Sequence, residues 1–209
     1  MMRRWLLARL IFRNGLNSDS DMIVQVTRFS PRGISYVMRC VVLIAMIMGS
    51  VTMALAEPWR AHVPDAEIVG TARLKVLLFK IYDATLYAPQ GRFDPEGAFA
   101  LRLDYLVDAS KAQIVKRSLT EMQRQTKADE AQLKIWESFL NASFRDLKDG
   151  ESATAIHNHD GSITFYLNDV EGETVNDTDF ADAFMNIWLS DSARNLDFSR
   201  TLRGLDGQS

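Results

Sequence analysis

The chain has 209 residues, with 24 Lys and Arg, 27 Asp and Glu, three His, one Cys and 47% hydrophobic content. That composition excludes a disordered polymer, a collagen-like repeat and a disulfide-stapled miniprotein, and the length allows one domain with an extension. A formal net charge of -3 gives no electrostatic reason to expect nucleic acid as a partner.

The charge is spread unevenly. Residues 1–56 hold seven Arg and two Asp, whereas residues 57–209 hold 17 Lys and Arg against 25 Asp and Glu, a net of -8. Between them, the uncharged run from Cys40 to Ala56 follows Arg39 and closes on Ala54-Leu55-Ala56, the small-x-small pattern that a signal peptidase accepts. The pattern predicts a secretory signal over 38–56, cut after Ala56, with 1–37 an over-extended or disordered N-terminus and 57–209 the exported, periplasmic domain. The run is at the lower limit of the roughly 17–25 apolar residues that span a bilayer, so no stable anchor is expected after cleavage. Cys40 lies inside the removable segment and leaves the mature chain without a thiol.

After a lead-in containing Pro58 and Pro64, Glu67 to Leu78 alternates apolar and polar residues, which predicts a half-buried strand. Lys80 to Tyr87 and Phe99 to Tyr105 repeat that period, the latter with Phe99, Leu101, Leu103 and Tyr105 on one face, and the turn-rich stretch Pro89 to Gly97 joins them. The period then becomes helical. Ser110 and Gln113 have capping-box spacing ahead of Val115, Leu119 and Met122, and Thr126 and Asp129 precede the stripe Leu133, Trp136, Leu140, Phe144. Asp149-Gly150 returns the chain to strand pattern. Ala153 to His159 and Ser162 to Asn168 flank the turn signal Asp160-Gly161, and Glu171-Gly172 marks a further reversal. Phe180, Ala183, Phe184, Ile187 and Trp188 give a strongly amphipathic helix from Asp177, with a weaker one over Leu196 to Leu202. Runs of strands and runs of helices without βαβ alternation predict an α+β fold, an antiparallel sheet with helices packed on one face.

The chain has no Gly-rich dinucleotide fingerprint, P-loop, Gly-x-Ser-x-Gly elbow or paired Cys-x-x-Cys, which removes nucleotide-binding, serine hydrolase and zinc-ribbon readings. His157-Asn158-His159-Asp160 flanks a hairpin tip with no third ligand nearby, and reads as a solvated turn rather than a metal site. No cofactor is expected. Arg73 and Asp83 are charges within half-buried strands, where each needs a partner, a ligand or water. Tyr82, Tyr87, Tyr105 and Tyr166 are either core edges or groups that present a hydroxyl to a ligand.

Gly70-Thr71-Ala72-Arg73-Leu74, Phe79-Lys80-Ile81-Tyr82-Asp83-Ala84-Thr85-Leu86-Tyr87, Leu103-Asp104-Tyr105-Leu106, Phe165-Tyr166-Leu167-Asn168 and Ile187-Trp188-Leu189-Ser190 occur in an order that resembles the bacterial, exported branch of the chalcone isomerase-like family. The resemblance implies an open-faced β-sandwich with a ligand cleft between sheet and helices. Some members cyclise chalcones; others bind fatty acids without catalysis. It also implies that an early-strand arginine, here Arg73, meets the ligand's anionic oxygen; Tyr82, Tyr105 and Tyr166 are the further candidate ligand-binding residues, each able to present its hydroxyl to a ligand. Where the isomerases have a threonine this chain offers Tyr82 or Asp83, and Lys111 to Val115 lacks their active-site tyrosine, so binding is favoured over catalysis. The expectation is an exported protein that binds a small apolar anion such as a fatty acid. An isomerase of the chalcone type and a ligand-free module docking an envelope protein are the alternatives.

Overall fold

A computed structural model of the protein describes residues 57–205; the predicted segments 1–37 and 38–56 lie outside the described residues. Strands β1 (Ala66–Val76), β2 (Phe79–Pro89) and β3 (Phe99–Tyr105) are followed by helices α1 (Lys111–Gln125) and α2 (Glu130–Ser143). Strands β4 (Ser152–His157), β5 (Ile163–Leu167) and β6 (Val170–Val175) precede α3 (Thr178–Leu189) and α4 (Leu196–Leu202). All six strands pair antiparallel with their chain neighbours, in the order β1-β2-β3-β4-β5-β6. Helices on one face of an antiparallel sheet are the α+β arrangement that the order of elements predicts. Among the described residues no helix is long and apolar enough to cross a membrane.

Local chemistry sets the helix starts. The Ser110 hydroxyl accepts from the Gln113 backbone and the Gln113 side chain accepts from the Ser110 backbone, a complete capping box. Asp129, Asp177 and Asn195 cap α2, α3 and α4 in the same way, each accepting from a backbone N–H of the first turn.

Strand parity then divides the core. Phe99, Leu101, Leu103 and Tyr105 point under the helices, beside Ala84 and Leu86 of β2, Ala153 and Ala155 of β4 and Phe165 of β5. Phe144, Phe165, Phe180 and Phe184 interlock with centroids 5.2–6.4 Å apart. Full burial of each such ring contributes about 1.5–3 kcal/mol. The other face has a smaller cover. A 3-10 turn over Pro58–His62 lays Trp59 and Val63 against Ala100, Ile156 and Tyr166, with Arg60 stacked 4.7 Å from the Trp59 ring. Arg102 anchors this cover by pairing with Glu57, Asp104 and Asp169 at 2.8–3.1 Å.

Three expectations need correction. The first strand ends at Val76, because Leu77 and Leu78 form a two-residue turn with Leu77 at φ 56. Glu171-Gly172 is not a reversal: Asn168 and Asp169, at φ 51 and 62, make the turn, and Glu171-Gly172 lies within β6. Asn and Asp tolerate that left-handed backbone, which suits a tight hairpin. His157 is buried rather than solvated, its Nδ1 2.9 Å from the Gly97 carbonyl and its ring stacked on Phe99 at 4.9 Å.

Gly70 sits where α4 crosses β1, and a Cβ there would lie 2.2 Å from the Thr201 carbonyl oxygen and 2.6 Å from that of Leu202. Backbone atoms yield less readily than side-chain ends, so Gly70→Ala is expected to destabilise the fold by about 1–3 kcal/mol, read as a lower midpoint in urea at unchanged slope.

Glu151 ties the α2–β4 connection to the β5–β6 turn. Its carboxylate accepts from Arg145 at 2.9 and 3.0 Å, from the Lys148 backbone at 2.8 Å and from Asn168 at 2.6 Å. The Arg145 hydrogen bonds, followed by that of Lys148, pull its pKa from 4.5 to about 2. A depressed carboxylate stabilises the fold above its unfolded pKa and loses that contribution as pH falls from 4.5 towards 2. Acid titration of Glu151→Gln is therefore expected to show a shallower loss of stability across this window than the parent.

Candidate ligand cavity

Between the helix-facing side of the sheet and the helices lies a cavity of about 750 Å³, within the range of about 300–1,000 Å³ usual for small-molecule sites. Leu101, Leu103, Ala153, Ala155 and Phe165 form its floor, and Ile114 and Ser118 of α1 with Phe184, Ile187 and Trp188 of α3 form its roof. The α3–α4 connection and Phe198 close one side, while Leu74, Lys75 and Val76 of β1 reach its rim. The floor is deep at β4 because both positions there are alanines. A bulkier residue at either would occupy the space.

Its polar lining includes Tyr82 and Tyr105, the cations Lys75, Arg117 and Arg194 and the carboxylates Asp108, Glu121 and Asp197. Tyr82 accepts a hydrogen bond from Trp188 Nε1 at 2.8 Å, bridging sheet and roof. Its ring lies 5.9 Å from that of Tyr105. Burial pushes the Tyr82 hydroxyl up to about 12, against the smaller downward pull of the Trp188 hydrogen bond and Arg117. Burial also raises Tyr105, assisted by Tyr82. Both phenols therefore stay protonated at neutral pH and act as hydrogen-bond donors.

Arg117 on α1 lines the cavity and lies in the field of Tyr82. Its neighbour Arg194 is held by Glu121 at 2.6 Å, and Glu121 also holds Arg124 at 2.9 Å. Arg117 joins no ion pair among the described residues, so it is a cation at the rim with no carboxylate of its own.

The structure separates the expected site residues. Tyr82 and Tyr105 line the cavity. Arg73 does not: Ala72 and Leu74 face the helices, so Arg73 leaves β1 on the opposite side, directly across from Asp83. There it makes a side-on pair, Nε to Oδ1 at 2.5 Å and Nη2 to Oδ2 at 2.6 Å, on a surface where Arg73 is 40% exposed. That pair holds the Asp83 carboxyl below its usual range. Tyr166 is also on the far face, donating to Glu171 at 2.9 Å and lying 3.1 Å from His62 Nε2, because its neighbour Phe165 takes the inward position. Arg117, which sequence reasoning missed, lines the cavity where Arg73 does not; its spacing from Ile114 and Ser118 on α1 is the signal that finds it once those two are known to face inward.

A shallower depression of about 570 Å³ between α1 and α2 is edged by Lys116, Glu130, Lys134 and Glu137 and is a solvated helix surface. Among the described residues no three His, Cys, Asp or Glu side chains gather as metal ligands.

No curated protein matches the chain by sequence. Among solved structures, a fatty-acid binding protein of Arabidopsis thaliana is similar in fold, with a TM-score of 0.53 and 7% identity over 68% of this chain and 88% of that one. A family model described as chalcone isomerase-like matches residues 62–204. That span holds the whole sheet, all four helices and every residue around the cavity, and the chain belongs to the chalcone isomerase-like family.

Proposed function

We propose that the protein binds a small apolar anion such as a fatty acid, with the tail between sheet and helices and the carboxylate at Arg117, Tyr82 and Tyr105. The observation that carries this reading is the cavity: its lining is mainly apolar, Tyr82 and Tyr105 line it, and Arg117 is a lining cation outside any ion pair among the described residues, while the lining carboxylates Asp108 and Glu121 are already paired with Lys148 and with Arg124 and Arg194. An apolar cavity of this size is poorly suited to water and well suited to a hydrocarbon chain. The fatty-acid binding protein that shares the fold supports the ligand class.

The same geometry weighs against the alternatives. Isomerisation needs an acid-base and oxyanion-orienting set held together, and Arg73, the arginine expected to orient the oxyanion, faces away from the cavity and pairs with Asp83. A ligand-free docking module has no use for a void under its helices. The location belongs to the proposal too: the run Cys40 to Ala56 and the Ala54-Leu55-Ala56 site support export to the periplasm, as for the bacterial branch that the motifs resemble. N-terminal sequencing of the secreted protein is expected to begin at Glu57, and an intact Met38 in the envelope fraction would sink this part.

Removing the head-group cation gives the sharpest test. Arg117→Ala is expected to weaken binding of a long-chain fatty acid by about tenfold, the usual worth of a partly exposed charge-assisted hydrogen bond, while leaving the matching fatty alcohol unaffected. Arg73→Ala is expected to leave both unchanged, since its guanidinium already pairs Asp83 across the sheet. Ala155→Phe, which fills the floor, is expected to abolish binding of both. Isothermal titration measures all three, and a parent protein that binds neither ligand overturns the reading.

A further inference from the structure

The turn between β1 and β2 is unusual in three ways at once. Its exposed residues are apolar: Leu77 is 89% exposed, Leu78 95% and Phe79 68%, with Val76 beside them at 41%. Its backbone is unfavourable, since Leu77 takes φ 56, a conformation that two-residue hairpins usually give to Gly, Asn or Asp. Beneath the turn, Lys75 and Lys80 stand directly opposite one another across the strands, a like-charge pairing that weakens a hairpin. Folding alone favours none of these. Asn-Gly at the tip and an opposite-charge pair below it would make a more stable hairpin.

All three make sense against one surface. We infer that the Leu77–Leu78 tip inserts into the interface of an anionic lipid bilayer, with Lys75 and Lys80 resting on the headgroups, and that this docking brings the cavity rim to the membrane. Apolar residues tipped beyond a pair of lysines have the layout of an interfacial anchor, in which hydrocarbon is buried at the acyl boundary and cations meet lipid phosphates. Among the described residues the lysine ion pairs are Lys134 with Glu130 and Lys148 with Asp108, so both tip lysines remain available. Lys80 does lie in the field of Asp83, which Arg73 already neutralises. The net charge of -8 over 57–209 opposes approach to an anionic surface from afar, but at physiological ionic strength charges beyond about 8 Å are largely screened, and the tip lysines act at contact.

The tip is continuous with the cavity. Lys75 and Val76 are both hairpin residues and rim residues, and Arg117 stands on the same rim. A ligand leaving the bilayer beside the tip therefore enters between β1 and the helices without crossing bulk water. This deepens the ligand-binding reading and rests on it for its purpose, though its measurement does not.

The test labels the tip of the full chain. In a Cys40→Ser background, which leaves no other thiol, Leu78→Cys carries a polarity-sensitive dye, and Glu173→Cys on the exposed β6 carries it as control. With vesicles of phosphatidylcholine and phosphatidylglycerol the dye at 78 is expected to shift to the blue and the dye at 173 to stay in water, even where the Cys40 to Ala56 run tethers the chain. A smaller shift on phosphatidylcholine alone supports the role of the lysines, and an equal one overturns it. A dye at 78 that stays in water on both overturns the proposal and leaves the tip to a protein surface. A second variant, Leu77→Asn with Leu78→Gly, installs a favourable turn, so it is expected to keep or raise the parent's thermal midpoint and keep its fatty-acid affinity in solution. Its rate of fatty-acid uptake from the anionic vesicles is expected to fall by about tenfold or more; an unchanged rate overturns the docking role. Should the parent bind no fatty acid in solution, the ligand reading fails while the dye still reports whether the tip inserts.

Discussion

Successive side chains of a strand leave on opposite sides, and because the pairings from β2 to β5 run without a register shift, that parity is shared across the centre of the six-stranded sheet. Once Phe99, Leu101 and Leu103 face the helices, pairing carries Ala84, Leu86, Ala153, Ala155 and Phe165 to the same side. The complementary set, Arg73, Asp83, Arg102 and Tyr166, faces the other way. The cavity, the Arg73–Asp83 pair and the Trp59 cover on the far face are three results of one constraint.

The cavity itself runs against close packing. Interiors ordinarily fill such space, because lining atoms that lack partners lose dispersion contacts. Here the rings of Phe144, Phe165 and Phe184 line the cavity, while the small side chains of Ala153 and Ala155 leave its floor low under the helices. The Tyr82–Trp188 hydrogen bond spans the gap between sheet and roof.

Most elements are written in local chemistry. The capping residues Ser110, Asp129 and Asp177 and the apolar stripes behind them place α1, α2 and α3 within a residue or two, and Asp160-Gly161 places the β4–β5 turn. Strand β6 escaped notice because Val170 to Thr174 are exposed and show no apolar alternation. The β1–β2 turn escaped because two leucines occupy it. That omission spread: without the turn the register of β1 on β2 is unknown, and the pairing of Arg73 with Asp83 is invisible. Tyr105 was legible as inward-facing from its parity with Phe99, Leu101 and Leu103, whereas Tyr82 was one of several tyrosines that could be a core edge or present a hydroxyl to a ligand. Arg117 was not legible, since which helical residues look inward depends on how α1 lies on the sheet.

Gly70 has a consequence for the order in which the molecule assembles. Each strand pairs with its neighbour in the chain, so hairpins close over short loops as residues become available, and the one long excursion, through α1 and α2, returns β4 to the strand it left. The closing contact is different in kind: the carbonyls of Thr201 and Leu202, near the end of the described chain, come to rest on a glycine in its first strand. A polypeptide emerging from its N-terminus onward builds the sheet progressively but leaves β1 without its helical cover until α4 arrives. The last turn of helix thus acts as the latch for the earliest strand.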